Sequence, residues 1–304
     1  MRIAILGAGG VGGYYGGMLA RRGHQVIVLG RSRETVEALQ ARGLTIRTPE
    51  ETFSAPVEAT TEAHQMGAVE LGILAVKSYS LAEIVPAAVA LADSGATILP
   101  LLNGVEVIDR LLSGGVRRER LLGGLSRISA ARVSPGVIER RSPFQSIILG
   151  ELDGGLSERT ERIAAMFVEA GVEGTRATAE IQVEIWRKFT FIAAMAATCG
   201  LARSAVGPLR TDPMGRLLLE RAVGETVAVA RARGVAFTAE EPANVLRTID
   251  SMPATMKPSF LHDLESGGPT ELDDLSGAVS RLGRQAHVET PIHDTATAAL
   301  SPHR

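Results

Sequence analysis

Residues 2–30 read RIAILGAGGVGGYYGGMLARRGHQVIVLG. Arg2–Gly7 is a β-rich run ending in glycine, Val11–Arg22 reads as a helix closed by Gly23, and Gln25–Leu29 is a second strand. Gly7-Ala8-Gly9-Gly10-Val11-Gly12 fits G-x-G-x-x-G at the turn from strand to helix, the context that gives this weak motif meaning. Gly7 permits the tight turn. Gly9 lets the backbone approach a pyrophosphate at the helix N-terminus, and Gly12 lets helix and strand pack closely. A purely structural glycine turn is the plainer alternative.

At the end of the second strand, an NAD site places an acid on the ribose 2′-hydroxyl. Here the segment is Gly30-Arg31-Ser32-Arg33. It holds no acid, and its two guanidinium groups suit a 2′-phosphate. The expected cofactor is therefore NADP(H), held by Arg31 with Arg33 beside it; a basic solvated loop is the alternative.

Outward from this stretch, Leu71–Val76 and Ala96–Leu102 are short apolar runs with a helix, Leu81–Ala92, between them. Runs without alternation suit parallel strands covered on both faces. Leu121–Ala130, Val137–Arg141 and Ser146–Gly150 read as further strands, at least partly antiparallel. Beyond residue 155 helical periodicity takes over, at 157–170, 180–202, 213–234, 238–249, 271–286 and 291–300. The fold class expected is α/β, an N-terminal Rossmann-type doubly wound domain with a C-terminal all-helical domain. Gly171–Ala177 marks the boundary, so the domains are placed at 1–173 and 174–304.

Composition narrows the function. The 304 residues carry 32 basic and 34 acidic side chains and 11 aromatics, which argues against nucleic-acid binding. Cys199 is the only cysteine, so there is no intramolecular disulfide, and the six histidines show no ligand spacing; no metal is expected. The glycines after Gly7 would spoil the core of a signal peptide, and the longest later apolar run, Phe189–Ala202, is too short to span a bilayer. A cytoplasmic protein without a membrane segment is expected. Only three basic residues are lysines, Lys77, Lys188 and Lys257. Arginine does not deprotonate, so a lysine in so arginine-biased a chain is a better candidate for acid–base work.

Lys188 lies in Glu184-Ile185-Trp186-Arg187-Lys188-Phe189, which opens an apolar helix. Desolvated beside a cofactor, its ammonium could donate a proton to a developing alkoxide. A snorkelling lysine is the alternative. Ser259, and Thr270 with Asp273, are each explained by helix capping when taken alone.

Together these segments resemble the ketopantoate reductase (2-dehydropantoate 2-reductase) family. The resemblance is carried by GAGGVGGYYG, AVKSY with Lys77, LLNGV with Asn103, GGLSRISA, SPGVIE, EIWRKF with Lys188, and SFLHDLESGGPTELD with Ser259 and Glu271. It implies NADPH-dependent reduction of a 2-oxo acid to a 2-hydroxy acid, and pantothenate biosynthesis if the substrate is ketopantoate. Carried over by position, Lys188 is the general acid and Glu271 anchors substrate or proton near it. Ser259 contacts the substrate carboxylate, and Asn103 and Lys77 line the nicotinamide and substrate end. The partner expected is a small 2-oxo acid; a homodimer is left open. Familiar members carry asparagines four and eight residues after the lysine and a further amide beyond the helix. Here those positions are Ile192, Ala196 and Val206, so a more apolar substrate is the alternative. A non-catalytic NADP-binding regulator is another, opposed by the presence of Lys188 and Glu271.

Overall fold

The structure, a computed structural model, describes residues 1–303. Its contacts divide the chain into two units. The first holds Met1–Leu102 and Val107–Ile181, and the second Asn103–Glu106 and Gln182–Arg304.

In the first unit, β1 (Arg2–Leu6), α1 (Gly10–Arg21), β2 (Gln25–Leu29) and α2 (Arg33–Arg42) follow the expected order. After them come β3 (Leu44–Arg47), β4 (Thr52–Ala55), β5 (Glu58–Thr60), β6 (Leu71–Leu74), α3 (Leu81–Asp93) and β7 (Thr97–Pro100). The rest of the unit is α4 (Val107–Ser113), β8 (Leu122–Arg127), β9 (Ala130–Ser134), β10 (Val137–Arg140), β11 (Ser146–Glu151), α5 (Glu158–Glu169) and β12 (Arg176–Ala177). A parallel sheet in the order β5-β2-β1-β6-β7 is the doubly wound core, with its order reversing at β1.

Two smaller sheets, β4-β3-β10-β9 and β12-β11-β8, complete the unit. The expected strand over Leu121–Ala130 is in fact the end-to-end junction of β8 and β9, which belong to different sheets. The β3–β4 hairpin had no counterpart in the sequence reading. It packs against α1 beside β1, and added methyls at Gly13 and Gly17 would strike Ile138 of β10 and Ile46 of β3. Covered so, α1 buries Gly12 to Gly17 continuously, which is why it lacks a polar face. The pairing of β12 with β11 carries the first unit past Gly171–Ala177, and the division falls after Ile181.

The second unit is helical: α6 (Ile181–Ala202), α7 (Val206–Thr211), α8 (Pro213–Ala232), α9 (Glu241–Ser251), α10 (Ser259–Glu265), α11 (Ser276–Gln285) and α12 (Pro291–Leu300). The body of α6 is buried on nearly all sides among Leu219, Val223, Leu261 and Val279. Its hydroxyls Thr190 and Thr198 donate back to the carbonyls of Trp186 and Ala194, both at 2.8 Å, so they cost little in an apolar core. The helix expected over 271–286 is interrupted. Leu272–Asp274 is a 3-10 turn, α11 starts only at Ser276, and Thr270 donates to the His303 carbonyl instead of capping a helix. Among the described residues no helix is long and apolar enough to cross a membrane.

Candidate active-site elements

The glycine loop has the geometry of an anion cradle. Gly7 sits at φ +117°, a conformation side chains disfavour, and a methyl there would also press on Ala75. A methyl at Gly12 would run into the Gly7 carbonyl. At Gly9 it would meet nothing within 4 Å, so the space above the loop is open to a ligand. Gly9 is the N-cap of α1 with no side-chain cap, and the first turn holds no acid, so the first amides keep their partial positive charge for an anion. Ala8 and Val11 lie half-buried within this cradle. The fit to a pyrophosphate is therefore good. Gly10 has a role the motif did not reveal: a methyl there would strike the Ala130 carbonyl of β9, which crosses the start of α1.

At the end of β2 the structure amends one expectation. Arg31 is exposed, and it donates to the Ser80 hydroxyl (2.6 Å) and the Glu83 carboxylate (2.9 Å). An acid thus stands beside it after all, supplied by α3 rather than by the loop. Both side chains are largely in water, so this pair holds only weakly and can give way to a doubly charged phosphate. Ser32 caps α2 through the Thr35 amide (3.3 Å), and Arg33 pairs with Glu37 one turn on. Arg132 of β9 donates to the Thr35 hydroxyl (3.2 Å), bringing a third guanidinium to this end of α2. Its sequence separation hid it. Lys77 follows β6, exposed, at the start of the 3-10 turn Ser78–Ser80.

In the second unit three of the named residues meet. Lys188, half-buried on α6, donates from Nζ to Asn103 Oδ1 at 2.9 Å. Asn103 in turn donates from Nδ2 to Glu271 Oε2 at 3.3 Å. Glu271 is buried, at the head of the 3-10 turn. The amide of Asn103 thus has one orientation, oxygen to the ammonium and nitrogen to the carboxylate. Ser259 stands apart from this hydrogen-bonded trio. It is the exposed first residue of α10, where Pro258 holds the N-cap position, so capping does not explain it. Of the positions at which familiar members carry amides, Ile192 is half-buried one turn past Lys188, while Ala196 and Val206 are core residues. Cys199 is buried, which pushes its thiol up to about 11 and leaves it unreactive.

Comparison with known proteins identifies the family. Residues 3–154 match the family Ketopantoate reductase PanE/ApbA, and residues 180–304 match Ketopantoate reductase PanE/ApbA C terminal. The chain is 33% identical to the uncharacterized oxidoreductase YkpB of Bacillus subtilis, over 99% of this chain and 98% of the relative. It is 31% identical to the 2-dehydropantoate 2-reductase of Halobacterium salinarum, over 96% and 95%. Among solved structures, 2-dehydropantoate 2-reductase from Geobacter metallireducens superposes with a TM-score of 0.90 at 27% identity, covering 100% of both chains. A complex of D-mandelate dehydrogenase with NADH gives 0.86 at 25% identity, over 99% of this chain and 98% of that one. With both halves matched and the lysine, amide and carboxylate assembled, the chain belongs to the ketopantoate reductase PanE/ApbA family and is an oxidoreductase.

Proposed function

We propose that the protein reduces a 2-oxo acid to a 2-hydroxy acid with NADPH, with 2-dehydropantoate as the first candidate substrate. The observation that carries this is the Lys188–Asn103–Glu271 chain. Reduction of a carbonyl places negative charge on its oxygen. An ammonium held by a fixed amide meets that charge without reorganising, and then gives it a proton. Asn103 orients Nζ, and the buried carboxylate of Glu271 orients Asn103. Lys188 is left neutral and regains its proton from water. Gly7, Ala8, Gly9, Gly10, Val11 and Gly12 would hold the pyrophosphate of the cofactor, and Arg31 its 2′-phosphate. When bound, the reduced nicotinamide supplies the hydride. Lys77 and Ser259 are the proposed contacts for the remaining charge of cofactor and substrate.

The cofactor reading has its own test. A guanidinium on a 2′-phosphate is a charge-assisted contact, so NADPH should bind about tenfold or more tightly than NADH. In titrations of intrinsic fluorescence, Arg31→Ala should remove most of that difference and Glu83→Gln should enlarge it. Equal dissociation constants for the two cofactors in the unmutated protein would overturn the choice of NADP(H).

A second reading, a 2-oxo acid with an apolar substituent, is favoured by Ile192 one helical turn from Lys188 and by the likeness to D-mandelate dehydrogenase. A branched alkyl group cannot bond a substrate hydroxyl, so selection for a hydroxylated substrate should be weak. The deciding measurement is kcat/KM for 2-dehydropantoate, 2-oxoisovalerate and phenylglyoxylate. Ile192→Asn should shift preference toward 2-dehydropantoate; Ala196 is too tightly packed to accept an amide. Strong preference for 2-dehydropantoate in the unmutated protein would remove the second reading.

A further inference from the structure

We infer that Arg281 is a positioning residue that holds Asn103 and Glu271 in register around Lys188; the inference rests on Lys188 being the proton donor. Four residues, Asn103–Glu106, leave the first unit and join the helical one. The segment is pinned at both ends. Asn103 is held between Lys188 and Glu271, and Glu106 receives Arg281 through Nε at 3.3 Å and more closely through Nη2. Between the pins, Val105 packs on the helical core and Gly104 turns at φ +106°, a residue that adds no stiffness of its own. The position of the Asn103 amide therefore depends on the far pin.

The same guanidinium reaches the other partner. Arg281 Nη2 also donates to the Asp273 carbonyl at 3.3 Å, and Nη1 to the Gly277 carbonyl of its own helix at 3.4 Å. Asp273 lies in the 3-10 turn headed by Glu271. One planar fork thus ties a point three residues past Asn103 to a point two residues past Glu271. These are the two groups that set the place and charge environment of the lysine. Lysine, a point donor, cannot span all the acceptors, but it can keep one of them. Glu106 is mostly buried, so the pair is better sheltered from water than an ordinary surface ion pair.

The test compares Arg281→Met, Arg281→Lys and Glu106→Gln, each alone and with Lys188→Ala, using NADPH and 2-dehydropantoate. Displacement of a catalytic group by even about 1 Å can cost up to about a hundredfold, so Arg281→Met should lower kcat by about 10- to 100-fold. KM and the NADPH dissociation constant should change little, and Arg281→Lys should recover part of the loss. In the Lys188→Ala background, Arg281→Met should cost nothing further, because the group it positions is gone. A readout without substrate uses 13Cε-labelled lysine, since three lysines give three resolvable signals. Arg281→Met should move the Lys188 signal and leave that of Lys257 in place. A normal kcat and an unmoved Lys188 signal in Arg281→Met would overturn the inference, as would an equal loss with and without Lys188. Full activity of Lys188→Ala alone would instead defeat the proton-donor reading.

Discussion

Lys188→Ala should lower kcat by about 10²- to 10⁴-fold, the range for loss of a general acid, or about 3–5 kcal/mol of barrier. Binding of NADPH should hardly change, because the cradle at Gly7–Gly12 belongs to the other unit. Lys188 is half-buried, with Nζ on Asn103. An alanine leaves Asn103 Oδ1 without its donor and any developing alkoxide without a cation. Part of the rate survives through hydride positioning, which does not need the ammonium. Lys188→Arg should rescue poorly, since a guanidinium supplies charge but does not release its proton. Stopped-flow or steady-state NADPH oxidation gives kcat, and fluorescence titration gives the cofactor affinity. A variant with near-normal kcat would remove Lys188 from the chemistry.

Acidification should destabilise the fold by about 3 kcal/mol between pH 6.5 and 4 through a single side chain, His293. It is fully buried on α12, near the Thr226 hydroxyl (3.0 Å), the Ala222 carbonyl (3.1 Å) and the Ser276 hydroxyl (3.4 Å). Burial drives its pKa down from 6.5 to about 4, so the ring is neutral in the fold. In the unfolded chain it takes up a proton near its ordinary pKa of about 6.5. Across that window the unfolded state binds more protons, and stability falls as the pH falls. Glu225, whose carboxylate accepts the Ile292 and His293 amides, is itself raised by burial and acts in the opposite direction. Asp294 beside the ring favours the charged imidazole and moderates the effect. Urea unfolding at pH 7, 6, 5 and 4.5 should show the decline, and His293→Gln should flatten it while lowering stability at pH 7. An identical pH slope in both proteins would show that other groups set the acid limit.

Much of the first unit was legible because its signals are local. The run at residues 2–29 places β1, α1 and β2 nearly to the residue, since strand, glycine turn and helix each depend on near neighbours. The β3–β4 hairpin was not legible. Its strands are four residues each, half-exposed, and stabilised by a parallel pairing with β10 some ninety positions away. The break of the last long helix at Leu272–Asp274 was equally hidden, because apolar residues continue through it at helical spacing.

For the site, residue type and local context singled out Lys188, Arg31 and the glycine loop, and the resemblance to the ketopantoate reductases added Asn103 and Glu271. Which of them touch was decided by packing. Asn103 joins Lys188 and Glu271 across 85 and 168 positions, and Glu83 reaches Arg31 across 52. Local periodicity and turn chemistry are short-range, so one chain suffices to read them. A hydrogen-bond partner or a counter-charge is chosen by the closing of the core. That choice turned the loop at Arg31 from a pair of bare cations into one shared with an acid, and it put a single arginine, Arg281, behind the segments that carry Asn103 and Glu271.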